Sequence, residues 1–329
     1  MIENISFIVI ARNEEFGVNK CLESIAAMKP FNCEVICVDS DSSDNTLEVM
    51  KSYTGKIDNL RVVQISGNVK PPAARNAGMK YATKPYIFFV DGDIAIYPEF
   101  IHKSIEKINA GKADAVTGKL FEIQYSPDYQ KKIREHVRRK HFMEEKKAPM
   151  TGGIFLAKKS ILDKAGAWDE SLRYEDFDYT IRISRHGILL QVPEFIGTHH
   201  TQVYRDRSWE RLRAGYYRYY GQLFRKNADS PKILLQLLRG NRGLATFICF
   251  LFAIVICLTG LIASSEAGNW MLMALPIFVF TDFLYSTRRK KEKLIQWVLN
   301  NYLIPPQILA GIFSKIRKKR MATTMKIIV

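Results

Sequence analysis

Tyr86-Ile87-Phe88-Phe89-Val90-Asp91-Gly92-Asp93 decides the fold. Five apolar residues without polar alternation predict a strand covered on both faces, and such strands belong to parallel sheets flanked by helices. The run ends in two carboxylates around a glycine that lets the chain turn tightly. Sheets of this kind bind ligands at the carboxyl ends of their strands, which is where this pair falls. Working outward, residues 5–10 repeat the apolar run, residues 34–38 form a second strand ending at Asp39, and residues 61–65 form a third. Between them Val18, Cys21, Leu22 and Ile25 recur at helical spacing, and Asp44 is placed to cap a helix carrying Leu47 and Met50. Residues 73–82 read as another helix, and Phe100, Ile101, Ile105 and Ile108 mark a further one. This alternation implies an α/β, Rossmann-like domain over residues 1–203, with a mostly parallel sheet and helices on both faces. Within it, the charge-dense residues 127–147 read as a surface helix or mobile loop, 150–157 as a strand after a glycine pair, and 174–185 as a helix.

Beyond residue 203 the composition changes. Residues 204–243 are dense in arginine and contain Tyr216, Tyr217, Tyr219 and Tyr220, a mixture suited to a helix lying among lipid head groups. Residues 244–329 read as a membrane domain. Residues 244–263 are uncharged and long enough to cross a bilayer, and 270–286, with Asp282 near the end, are a second candidate. Arg239 and Arg242 precede the pair and a basic cluster at 288–291 follows it. Both ends therefore belong inside, giving a hairpin in the cytoplasmic membrane with the first domain facing the cytoplasm. Residues 294–313 contain Asn300, Asn301, Pro305 and Pro306 and are followed by a basic tail; a re-entrant or interfacial segment is expected there.

A net charge of +16 favours polyanionic partners. No helix-turn-helix, zinc-finger or RNP pattern is present, which argues against nucleic acid. The basic clusters lie beside the apolar segments, which points to anionic lipids. The five cysteines, Cys21, Cys33, Cys37, Cys249 and Cys257, have no CxxC or metal spacing and read as reduced packing residues. The N-terminus carries no charged-then-apolar targeting pattern.

Chemistry-bearing residues recur at each strand end. Asp91 and Asp93 can hold a hard cation, Mg2+ or Mn2+, leaving positions for phosphate oxygens; the cation would offset charge growing on a diphosphate leaving group. Asp39 opens Asp39-Ser40-Asp41-Ser42-Ser43-Asp44 and can accept a hydrogen bond from a nucleobase imide. Asn13-Glu14-Glu15 follows the first strand and Arg75-Asn76-Ala77-Gly78 precedes the fourth. Taken as an ordered set over about residues 5–200, these motifs resemble the family 2 glycosyltransferases of GT-A fold. The usual Asp-Asp-Gly is Asp39-Ser40-Asp41 here.

The resemblance implies a nucleoside diphosphate sugar donor held by Asn13, Glu15, Asp39, Arg75, Asp91 and Gly153. It implies a metal site of Asp93 and Asp91, completed by a histidine for which His199 of the His199-His200 pair is preferred. In Tyr174-Glu175-Asp176-Phe177-Asp178 it implies Asp176 as the base that deprotonates an acceptor hydroxyl. Acidic residues in a first helical turn are also stabilised by the helix dipole, which suits Glu175 and Asp178. His136 and His141 read as solvated. The expected function is inverting transfer to a hydroxyl of a lipid-linked or membrane-proximal glycan; the alternative is a polyprenyl-phosphate acceptor, which needs no base. Too few spans, and the absence of a Gln-x-x-Arg-Trp segment, argue against a processive synthase.

Overall fold

The structure, a computed structural model, describes residues 2–138, 144–148, 150–203, 207–262, 281–282, 284, 294–314 and 322–329. The chain divides into two compact units, Met1–Arg205 with Lys318–Val329, and Asp206–Arg317.

The first unit is built on β1 (Ile5–Ala11), β2 (Glu34–Asp39), β3 (Leu60–Gly67) and β4 (Tyr86–Asp91), connected by α1 (Glu15–Ala27), α2 (Thr46–Lys51) and α3 (Pro71–Met79). These strands pair in parallel in the order β3-β2-β1-β4. Continuous apolar strands are dictated by two-sided burial. In β1, Phe7 and Val9 enter one core with Val18, Leu22 and Phe88, while Ile8 and Ile10 enter the other with Ala74, Ala77 and Phe89. The tips of the parallel strands β3, β2, β1 and β4 therefore open on one edge, which places Asp39 and Asp91 on either side of the β1 tip, opposite Ala11 and Ile10.

The sheet as a whole is mixed rather than mostly parallel. After the short β5 (Ile94–Ile96) and α4 (Pro98–Asn109) come β6 (Ala115–Tyr125), β7 (Lys132–Arg138), β8 (Lys146–Lys147) and β9 (Phe155–Lys158). Then follow α5 (Lys159–Ala165), α6 (Glu175–His186) and β10 (Leu189–Gln202). β9 is antiparallel to both β4 and β6, β10 runs parallel to β6 and antiparallel to β5, and β7 forms a hairpin with β6. The expected helix or loop over 127–147 is thus partly a strand: β7 pairs Arg138 with Leu120 and His136 with Glu122. Charged side chains hid it, because β7 needs only backbone pairing and one carboxylate partner. His141 and the residues around it lie outside the described residues.

β11 (Thr323–Ile327) returns to this unit and pairs antiparallel with β3, covering the edge that β3 would otherwise leave open. Gly67 makes the approach possible: its φ is +82, and a Cβ there would strike the Ala322 carbonyl oxygen.

The second unit is helical: α7 (Ser208–Arg213), α8 (Arg218–Lys226), α9 (Pro231–Gly240) and α10 (Arg242–Ile262). Leu294–Val298 and Ile304–Phe313 are also helical, joined by a π-helical turn, Leu299–Leu303. Pro305 and Pro306 do not break the path, because they sit in the first turn after the π turn, where their missing N–H groups have no partner to lose. Glycines set the packing. A Cβ at Gly243 would strike the Asn300 carbonyl, and one at Gly311 the Arg218 carbonyl. Among the described residues no helix is long and apolar enough to cross a membrane. α10 has 21 residues, but its side chains are described without interruption only to Phe252. The expected second span, 270–286, lies almost wholly outside the described residues.

Candidate active site

The loop after β4 is shaped by Gly92. Its N–H donates to the Ile10 carbonyl at 2.8 Å, and a Cβ would lie 2.7 Å from that of Ala11. Any larger residue would push the Asp91–Asp93 turn off β1. Asp93 is then held by β10, where the His200 N–H donates to its carbonyl at 2.8 Å.

The motif Arg75-Asn76-Ala77-Gly78 resolves into three separate tasks on α3. Arg75 is buried, donates to Asp91 Oδ1 at 2.8 Å, lies 4.7 Å over the Trp168 ring and stands 3.9 Å from Glu175. Asn76 staples the Trp168-Asp169-Glu170 segment: its Nδ2 donates to the Trp168 carbonyl (3.0 Å) and Glu170 Oε1 (2.9 Å), and its Oδ1 accepts from the Trp168 N–H (2.8 Å). Gly78 leaves room for the Ile8 side chain. Gly153 has a role the sequence did not suggest. A Cβ there would sit 2.6 Å from Arg75 Nη2, so glycine makes room for the guanidinium.

Glu175 and Asp176 open α6. Burial pushes the Glu175 carboxyl up to about 7, helped by repulsion from Asp176 and offset in part by Arg75. Burial also raises Asp176, opposed by the Phe177 N–H, which donates to its Oδ1 at 2.8 Å. A carboxylate whose pKa is raised is a better proton acceptor near neutrality. Asp178, by contrast, is buried and pairs with Arg182 Nε at 3.0 Å, a structural bond within α6.

These side chains line one cavity of about 490 Å3 at the carboxyl edge of the sheet, with Arg12, Glu14, Ser40, Lys70, Arg75, Asp91, Asp93, Gly153, Glu175 and Asp176 in its wall. Asn13 and Glu15, grouped by sequence with the donor residues, are not in that wall. Asn13, at a φ of 53, has its Oδ1 accepting from the Ser43 N–H at 2.8 Å and so ties the β1 loop to the β2 loop. Glu15 accepts from Asn45 at 3.1 Å. Glu14 takes the inward place. Its Oε2 is buried without a hydrogen-bond partner, and burial together with Asp93 and Asp91 holds its carboxyl well above the usual range. Asp39 is fully buried just behind Ser40. Its Oδ2 accepts from Gln64 (3.0 Å) and the Ser42 N–H (3.3 Å), while Oδ1 has no partner.

His199 lies between two carboxylates, 2.7 Å from Asp93 Oδ2 through Nε2 and 2.9 Å from Glu122 Oε2 through Nδ1. Burial opposes its charge, but the bonds to Asp93 and Glu122 prevail and raise it to about 9. Burial works against Glu122 in the same way; His199 and Gln124 nevertheless hold it at about 2. Glu122 also faces His136 and Arg138, each at 3.4 Å, so His136 is a partner in the sheet rather than a solvated residue. His200 diverges to meet the Tyr125 hydroxyl at 3.0 Å, and burial lowers it to about 4. Sequence reading missed Glu122; the signal was a single carboxylate in the otherwise uncharged run Leu120–Tyr125, where a buried charge must be paired. Among the described residues no group of three or more His, Cys, Asp or Glu side chains is arranged to hold a metal ion. Asp93 Oδ1 is nonetheless buried without a partner, a hard oxygen beside Asp91.

Residues 6–166 match the model of Glycosyl transferase family 2. The chain is 28% identical over 219 residues to a poly-β-1,6-N-acetyl-D-glucosamine synthase of Staphylococcus epidermidis, covering 60% of this chain and 52% of that one. It thus spans about half the length of that relative. Two solved structures share the fold. Residues 1–349 of S. aureus TarS in complex with UDP-GlcNAc give a TM-score of 0.54 at 20% identity, over 74% of this chain and 73% of that one. The mannosyltransferase PcManGT of Pyrobaculum calidifontis with GDP-Man and Mn2+ gives 0.60 at 15% identity, over 94% and 87%.

Proposed function

Because residues 6–166 place this chain in glycosyl transferase family 2, we propose that it transfers a sugar, with inversion, from a nucleoside diphosphate sugar to a hydroxyl of a membrane-proximal glycan. The carrying observation is convergence. Arg75 from α3, Asp91 at the end of β4 with Asp93 just after it, and Glu175 and Asp176 from α6 are far apart in the chain yet line one cavity at the sheet's carboxyl edge. Ser40 carries the wall of the cavity at the β2 tip, with the unpaired Asp39 Oδ1 buried just behind it as the acceptor for the donor's base once the Ser40 loop yields, and Arg75 faces the departing diphosphate. Asp176 takes the proton of the attacking hydroxyl, in a buried setting where its affinity for that proton is raised. Asp93 and Asp91 suit a divalent cation of the Mg2+ or Mn2+ class, whose chemistry is to offset charge on the leaving diphosphate. The Mn2+ and nucleotide sugars of the two structural neighbours agree with this reading.

The apolar segments 244–263 and 270–286 form a membrane hairpin in this proposal, and Leu251, Phe252, Val255 and Leu258 present an exposed apolar face suited to lipid. β11 pairs with β3, so the chain must cross any bilayer an even number of times between residues 203 and 322. A lone third crossing by 294–313 is incompatible with that pairing. Reporter tags after residue 329 and within 264–269 should report opposite sides of the cytoplasmic membrane, the former on the cytoplasmic side; equal accessibility of the two tags would remove the hairpin.

The decisive test screens UDP-, GDP- and dTDP-sugars for turnover with and without Mn2+, using a membrane lipid extract as acceptor. Asp176→Asn should abolish transfer to a hydroxyl while leaving donor binding intact. Full transfer by the variant would indicate an acceptor that is already ionised, the polyprenyl-phosphate alternative.

A further inference from the structure

A second cavity, of about 510 Å3, lies on the other side of the β1 loop and shares Glu14 with the first as part of its wall. Its apolar floor is Phe16, in the first turn of α1, and Tyr129, in the turn between β6 and β7. The two rings stack at 4.5 Å with 21° between their planes, and Tyr125 meets Phe16 edge-on at 5.2 Å. Tyr125 is in turn fixed by its hydroxyl against His200. The platform is thus braced from behind by the strand that carries His199.

Tyr129 is held at a φ of 58, the left-handed region that a bulky residue avoids. The turn enforces it: the Tyr129 N–H donates to the Ser126 carbonyl at 2.9 Å, and Asp128 Oδ1 accepts from the Gln130 N–H at 3.1 Å. A glycine would serve the backbone better, so the ring is what the position retains.

The polar wall fixes the ligand class. Among the described residues of its wall, four carboxylates, Glu14, Glu15, Asp44 and Asp128, stand with one basic side chain, Lys20. Each carboxylate has more acceptor capacity than its local bonds consume. Such a wall accepts hydroxyl or ammonium donors and repels phosphate, even though the whole chain carries a net charge of +16. A flat apolar floor with surrounding acceptors matches a pyranose ring, one face carbon-bound hydrogens and its edge hydroxyls. We propose that this cavity is an acceptor subsite for a neutral or amine-bearing saccharide, seated on the Phe16–Tyr129 stack, from which the glycan enters the reaction cavity past Glu14. The acceptor role rests on the transferase reading above; the saccharide site does not.

The test titrates the full chain with three probes by isothermal calorimetry: a β-1,6-linked N-acetylglucosamine tetramer, its de-N-acetylated form, and a glycerol-phosphate tetramer. At least one sugar tetramer should bind, and the phosphate oligomer should bind more weakly than that sugar. Phe16→Ala and Tyr129→Gly should weaken sugar binding tenfold or more, whereas Tyr129→Phe should leave it unchanged. Tyr129→Gly relieves the backbone but removes the ring from Phe16, so a thermal melt of each variant accompanies the titration, and the expected loss of binding is read in protein that melts as a folded chain. Turnover of the donor in the absence of acceptor should be unaltered in all three variants. Equal sugar affinity across the variants, preference for the phosphate oligomer, or no sugar binding would each overturn the site. Sugar binding that depends on Tyr129, without turnover of any donor, would keep the saccharide site and remove the transferase reading.

Discussion

Gly153→Ala tests whether Arg75 is held in place by space rather than by chance contact. The new Cβ would lie 2.6 Å from Nη2 and 2.8 Å from Cζ of Arg75. The guanidinium is sandwiched between Trp168 and Asp91 and is only 5% exposed, so it has little freedom to swing aside. Restoring ordinary contact near 3.4 Å requires a shift of about 0.8 Å. Taken along the bond to Asp91, that shift stretches 2.8 Å to about 3.6 Å, beyond hydrogen-bond range. A charge-assisted bond contributes about 1.5–3 kcal/mol. The Asp91 side chain is 37% exposed, so water recovers part of this and the lower figure applies. At about 1.4 kcal/mol per decade, donor kcat/KM should fall roughly tenfold. Steady-state kinetics with the active sugar nucleotide, alongside thermal melts, read this out. A variant with unchanged kcat/KM and a melting temperature within a degree of the parent would refute the role assigned to Gly153, and with it the claim that Arg75 must lie against Asp91.

Asn76→Ala removes three hydrogen bonds to the Trp168-Asp169-Glu170 segment and orphans the Trp168 N–H, so denaturant unfolding should show a loss of about 1–3 kcal/mol. Glu175 is raised from 4.5 to about 7, so its ionisation opposes folding; stability should decline as pH rises from 4.5 through 7, and Glu175→Gln should flatten that decline in pH-dependent melts. Glu122→Gln should lower the His199 pKa from about 9, read by NMR titration of the ring protons, because the Nδ1 partner loses its charge. In the parent, the His199 contribution to stability is present below 6.5 and lost as pH rises through about 9. Glu122→Gln should shrink that slope, the Asp93 share remaining, without altering the one assigned to Glu175.

The central parallel strands were legible because two-sided burial leaves no room for polar residues: the runs ending at Asp39 and Asp91 read as strands from their composition alone. The motifs around them were legible as chemistry because they fall where strand tips must lie. What the sequence hid depends on register. Nothing local to Glu122 says that it stands opposite His199, since that follows from β6 and β10 running parallel with Glu122 and His199 as direct partners. Two charges so placed stabilise each other only after both strands are in place. The same applies to β7, whose charged face has no apolar period to read.

The choice among Asn13, Glu14 and Glu15 turned on a different quantity, the direction of three successive side chains at a turn. Asn13 adopts a positive φ and spends its amide on the β2 loop. That rotation sends Glu14 inward and Glu15 outward, the reverse of the grouping by motif. Motifs fix which residues gather at a strand end; the backbone angle of one residue decides which of them enters the cavity. An inward carboxylate with an unpaired buried oxygen then has a physical consequence. Glu14 sits where both cavities meet, and its raised pKa leaves it able to donate as well as accept there. Glu14→Gln preserves that donor and Glu14→Ala does not, so transfer should survive the first change far better than the second. Equal loss in both would mean that Glu14 acts through its charge, and would place it with Asp91 and Asp93 instead of between the cavities.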